Sequence, residues 1–199
     1  ASSFVINLYW SDPLGGSSND YDLFLLSADG TTVIARSTNI QNGTGDPYEQ
    51  LSRNQDGGEA PFPAGSRIVI VKRTGAADRF LHLNTNRGRL SIATAGQTHG
   101  HAAAANAFGC AATPAATAIG GALDPTGPFP NPFISSNVVE RFSSDGPRRI
   151  FFQADGTPIT PGDFSATGGL LRQKPDITAA DGVPVTGVGG FPSRFFGTS

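Results

Sequence analysis

Between residues 4 and 94 apolar and polar positions alternate with a period of two, in short stretches separated by turn signals. FVINLYW (4–10) puts Phe4, Ile6 and Tyr9 in a run suited to a pleated surface. YDLFLL (21–26) and TTVIARS (31–37) flank Ala28-Asp29-Gly30, and Asp-Gly tolerates the positive φ of a tight hairpin turn. SRIVIVKR (66–73) is a short apolar run that follows Pro63-Ala64-Gly65. RFLHLNT (79–85) and RLSIAT (89–94) flank Asn86-Arg87-Gly88, a second hairpin-like turn. No stretch here has the 3.6-residue period of an amphipathic helix. Six or more short strands with turns between them predict an antiparallel β-sandwich of jelly-roll type over residues 1–95.

Near Gly96 the pattern changes to Ala-rich and Gly/Pro-rich sequence, which predicts a second unit over residues 96–199. Within it AFGCAAT (107–113) reads as a buried strand entered from a small-residue loop, because small side chains let layers pack closely. Cys110 is then a buried apolar residue. Residues 148–171 look like an added hairpin turning at Asp155-Gly156.

Composition narrows the function classes. Of the 199 residues 15% are charged and the formal net charge is -2, so there is no basic stripe for nucleic acid and no polybasic patch for a membrane surface. No unbroken apolar run approaches the ~20 residues of a membrane span. The single cysteine forbids an intrachain disulfide. The chain has no Met, which predicts that Ala1 is not a natural start and that the sequence is a piece of a longer protein.

Several residues invite a metal. Asp20 and Asp22, in SSNDYDLFL, are the calcium candidates, since paired carboxylates suit a hard cation. The competing reading places both at a loop-to-strand junction, where Asp satisfies free backbone N–H groups. Asp46, Glu49, Asp56 and Glu59 form a second acidic region, read as a solvated Gly-rich loop. His82 alternates with strand residues. His99 and His101 are two apart but have no third ligand at a recognisable spacing, and read as part of a polar loop.

Three stretches in the second unit bear on chemistry: RFSSDGP (141–147), RQKPDITAADG (172–182) and FFGTS (195–199). In that order they resemble the subtilisin-like serine peptidases. The family shows a strand with Phe-Ser-Ser-x-Gly-Pro, then a Lys-Pro-Asp-(Ile/Leu)-x-Ala-Pro-Gly-like loop. Gly-Thr-Ser then opens the helix that carries the nucleophile. Phe142, Ser143, Ser144, Gly146 and Pro147 match the first; Lys174, Pro175, Asp176, Ile177 and Ala179 the second; Gly197, Thr198 and Ser199 the third. The resemblance covers residues 99–199 and departs from the pattern at Ala180-Asp181-Gly182, which stands where the family has Ala-Pro-Gly. It also extends to a bacterial subgroup with a β-sandwich inserted into the catalytic domain.

The resemblance implies a mixed fold: the sandwich, followed by part of a subtilisin-like α/β domain ending at the nucleophile motif. It implies Ser199 as nucleophile, with Gly197 and Thr198 forming the turn that presents it and Ser199 N–H helping to hold the oxyanion. It further implies a protein or peptide substrate, a secreted or periplasmic location, and a partner in the remainder of the catalytic domain. No Asp-Ser/Thr-Gly motif, His-Gly-Thr motif or Ala-Gly-Asn oxyanion motif occurs in the chain, so the 199 residues alone are expected to be inactive. The alternative is a non-catalytic sandwich that binds protein, glycan or calcium, with Tyr9, Trp10 and Tyr21 as its aromatic face; the competing reading makes these three core or edge residues.

Overall fold

A computed structural model of the protein describes residues 3–116, 133–184 and 194–197. The chain divides into two compact units, Ala1–Ala93 with Ile150–Leu170, and Thr94–Arg149 with Leu171–Ser199.

In the first unit six strands follow the sequence alternation: β1 (Val5–Trp10), β2 (Tyr21–Leu26), β3 (Val33–Ser37), β4 (Tyr48–Ser52), β5 (Arg67–Lys72) and β6 (Leu81–Asn84). They form two three-stranded antiparallel sheets, in the orders β4-β1-β6 and β3-β2-β5. One sheet turns Ile6, Leu8, Trp10 and Leu51 toward the core, and the other turns Tyr21, Leu23 and Leu25 to meet them. Phe62 closes the cluster from a loop. Each fully buried leucine contributes roughly 2 kcal/mol relative to an exposed one. The arrangement is a β-sandwich, with six strands where a jelly roll has eight. The hairpin at Ala28-Asp29-Gly30 forms, closed by Ser27 N–H donating to Thr32 O at 2.8 Å.

Trp10 and Tyr21 take the core reading: both are buried, their rings 5.3 Å apart, because the inward parity of β1 is Ile6-Leu8-Trp10. Three expectations change. RLSIAT is not a strand; the turn at Asn86 forms, but no sheet covers the segment and Ile92 is exposed. The acidic region around Glu49 is not all solvated loop. Residues 48–52 are strand β4, and Glu49 is completely buried, accepting from Ser37 Oγ, Asn39 N at 2.8 Å and Gln41 Nε2 at 3.0 Å. Residues 141–147 form turns and extended chain rather than a strand.

A second buried polar group organises the loop between β1 and β2. Asp12 accepts from Arg79 Nε at 2.6 Å, from Ser17 Oγ and Asn19 Nδ2 at 2.9 Å, and from Asn19 N at 3.1 Å. Burial pushes the Asp12 carboxyl up, but the bonds from Arg79, Asn19 and Ser17 outweigh it and hold the group below its ordinary range. Residues 150–170 add a turn at Asp155-Gly156, where Gln153 N–H donates to Thr157 O at 2.8 Å, and contribute Phe151 to the buried set.

The second unit contains β7 (Cys110–Pro114), β10 (Ile177–Asp181), β11 (Val183–Pro184) and β12 (Arg194–Phe195). β8 (Arg148–Ile150) and β9 (Leu170–Arg172) pair with each other where the chain passes between units. β7 and β10 pair in parallel, and β11 and β12 antiparallel. Apart from one 3-10 turn at Gly100–Ala103, the described residues contain no helix, and none long and apolar enough to cross a membrane.

Candidate active site

β7 is the floor of the candidate site. Its Ala111, Ala112, Thr113 and Pro114 are buried, as the small-residue sequence requires, and Cys110 at its start is half-buried. The segment before RFSSDGP laces onto it: Glu140 N donates to Ala112 O at 2.8 Å, Ala112 N to Ser143 Oγ at 3.0 Å, and Thr113 Oγ1 to Val138 O at 2.7 Å. Ser143 thus works through its side chain, as an acceptor for a strand N–H.

Lys-Pro-Asp holds the other end of β7. Lys174 is buried, and its ammonium donates to Ala107 O at 2.5 Å and to Asp176 Oδ2 at 2.6 Å. Asp176 Oδ2 also accepts from Gly109 N at 2.7 Å, and Asp176 N donates back to Gly109 O at 2.8 Å. The bond from Lys174 and the Gly109 N–H hold the Asp176 carboxyl below its ordinary range. The clip therefore fixes the entry of both parallel strands with one buried cation and one carboxylate.

Two of the three motifs meet here. A Cβ on Gly146 would overlap the carbonyl oxygen of Lys174, so the Phe-Ser-Ser-x-Gly-Pro stretch lies directly against the Lys-Pro-Asp loop. Asp145 beside it accepts from Gly96 N at 2.9 Å and Gln97 N at 3.1 Å.

The third motif enters at the far end of β10. Asp181, the last residue of that strand, is 3% exposed, and its Oδ1 accepts from Gly197 N at 2.8 Å. Gly182 N donates to Phe195 O at 3.0 Å, and Val183 and Pro184 pair with Phe195 and Arg194. Gly182 has φ +66°, and a Cβ there would come 2.6 Å from the Phe196 ring, so glycine is required twice over. Thr198 and Ser199 lie outside the described residues.

The metal candidates fare differently. Asp22, in β2, is buried and faces Arg73 Nη1 at 3.4 Å, while Asp20 O accepts from Arg73 N at 3.0 Å. Burial pushes the Asp22 carboxyl up, Arg73 opposes this and the neighbouring Asp20 adds to it. The described residues contain no group of three His, Cys, Asp or Glu side chains able to hold a metal. His82 is a buried residue of β6, while His99 and His101 are exposed in the 3-10 turn and its approach. Sequence reasoning did not assign Asp181 a role; its only signal was the replacement of Ala-Pro-Gly by Ala-Asp-Gly.

No family model, curated protein or solved structure matches the chain.

Proposed function

We propose that the chain carries the nucleophile segment of a subtilisin-like serine endopeptidase, with Ser199 attacking the scissile carbonyl. The observation that carries this reading is the convergence of sequence-distant motifs on one parallel strand pair. Gly146 abuts Lys174, the Lys174–Asp176 clip starts β10, and the end of β10 binds Gly197, two residues before the serine. Reactive groups in open parallel sheets gather beyond the carboxyl ends of strands, and Gly197 is tied to such an end.

A serine hydroxyl is a weak nucleophile until a base takes its proton. In the triad a histidine does so, held in orientation by an aspartate. Neither family motif for these groups occurs in the 199 residues, so in this reading base, orienting aspartate and oxyanion asparagine come from other parts of the protein. The substrate is a protein or peptide. The test is fluorophosphonate labelling. The full-length protein should be labelled on Ser199 and lose turnover in Ser199→Ala, whereas the 199-residue chain should stay unlabelled. A full-length Ser199→Ala variant with unimpaired peptidase activity would remove the assignment.

A second reading draws on the sandwich. On the outer face of β4-β1-β6, Tyr9 and Tyr48 stand opposite each other with ring centroids 4.9 Å apart. Beside them Tyr48 Oη donates to Asn7 Oδ1 at 2.9 Å and Gln50 Nε2 to the same oxygen at 2.8 Å. Aromatic faces beside neutral amides suit a glycan, which offers C–H surfaces and hydroxyls without charge. Retention on an immobilised neutral polysaccharide that is lost in Tyr9→Ala would support this module; equal elution of the two proteins would count against it.

A further inference from the structure

We infer that Asp181 is a positioning residue for the nucleophile turn, an inference that rests on the reading of Ser199 given above. Asp181 is fixed on both sides. Its backbone carbonyl accepts from Ala115 N at 2.7 Å, which locks it to the end of β7, and its Oδ1 accepts from Gly197 N at 2.8 Å. The segment leading to Gly197 is held again by the Gly182–Phe195 bond, the β11–β12 pairing and the Phe196 ring against Gly182. A carboxylate on a rigid strand end thus sets the peptide plane between Phe196 and Gly197.

The choice of side chain is informative. Asp181 is 3% exposed, and its Oδ2 is buried with no hydrogen-bond partner among the described residues. Leaving a buried polar oxygen unmatched costs stability, and an apolar residue of the same size would pack there without that cost. A buried carboxylate at a strand end, bonded to Gly197 N–H, is placed to hold the nucleophile turn. Oδ1 does this at Gly197. Proline, the family residue in this loop, offers no side-chain acceptor, so the turn in this protein is held by a bond that the family pattern lacks.

The test uses the full-length protein. Asp181→Ala should slow fluorophosphonate labelling of Ser199 and lower kcat by about 10²-fold, the scale set by a misplacement of roughly 1 Å, while KM stays near its original value. Asp181→Asn, whose amide oxygen can still accept from Gly197 N–H, should recover most of the labelling rate. Where Asp181→Ala fails to fold, Asp181→Leu fills the same space without an acceptor and carries the same expectation. Labelling of Asp181→Ala or Asp181→Leu at the original rate overturns the positioning role and leaves the serine assignment standing. So does a loss of kcat that only parallels a loss of folded protein in the melting curve. Absence of Ser199 labelling in the unsubstituted protein defeats the reading of the serine, and this inference with it.

Discussion

The two units solve the same problem with different materials. The first buries large side chains: Leu8, Leu23, Leu25 and Leu51 are essentially inaccessible, with Trp10, Tyr21 and Phe62 around them. Among the described residues of the second the buried apolar side chains are small, Ala103, Ala111, Ala112, Pro114 and Ala115, and Phe108, Phe133, Ile134, Val138 and Ile177 are exposed. Bonded polar groups are buried in both: Asp12 and Glu49 in the first, Lys174, Thr113 and Asp181 in the second. Apolar packing is non-directional and tolerates repacking, so the core of the first unit is specified by volume and pattern, while directional bonds to Asp12 and Glu49 fix its loops. Hydrogen-bonded clips are directional, so the second is specified by geometry, as a site must be.

The largest effects should come from the first unit, which has the most to lose. Asp12→Ala removes the partner of Arg79 and leaves Ser17 and Asn19 without their acceptor, at a cost of about 3–5 kcal/mol by urea unfolding. A cost below about 1 kcal/mol would show that packing alone holds this unit. Leu23→Ala, in the centre of the core, should cost about 2–5 kcal/mol through lost transfer energy and a cavity. Gly146→Ala sharpens the contrast from the other side. It should perturb the second unit by about 1–3 kcal/mol or more through overpacking against Lys174. Hydrogen exchange of the first sandwich should be unchanged, and loss of protection in both units together would remove the distinction. Phe108→Ser should fall within about 0.5 kcal/mol of no change, since Phe108 is exposed.

Acid separates two carboxylates of the first unit. The Asp12 pKa lies below its ordinary value of 3.8 in the fold, so its contribution is present above that value and is lost as pH falls through the lowered one. The Asp22 pKa is raised, so its ionised form costs stability at neutral pH, and the cost is relieved as pH falls through the raised value. Asp12→Asn should therefore flatten the acid limb of the stability curve, whereas Asp22→Asn should steepen it. Identical acid limbs in the two variants would contradict both assignments of sign.

The candidate site was legible in part. The Lys-Pro-Asp and Phe-Ser-Ser-x-Gly-Pro stretches could be picked out because each is a compact local signal. Their meeting at Gly146 and Lys174 could not, since nothing in either stretch reports which distant segment will lie against it. Asp181 escaped for the same reason, because a carboxylate in a loop reads as solvated until its acceptor role at Gly197 is seen. Strand β4 escaped because its inward residues are Glu49 and Leu51, and the pattern of a buried glutamate is that of an exposed one.

By itself the sequence determined strands β1, β2, β3, β5 and β6 of the first unit, the turns at Asp29-Gly30 and Asp155-Gly156, and the small-residue strand β7. These follow from local stereochemistry: alternation with period two, positive φ at Gly, and the size of side chains. The tertiary structure alone decided which face of each strand turned inward, burying Trp10 and Tyr21 and leaving Tyr9 on the surface. It also paired Asp12 with Arg79, Glu49 with Ser37 and Gln41, and Asp181 with Gly197. Alternation defines two faces without saying which is covered, and a buried polar group is satisfied by whatever donor the closing loops bring to it.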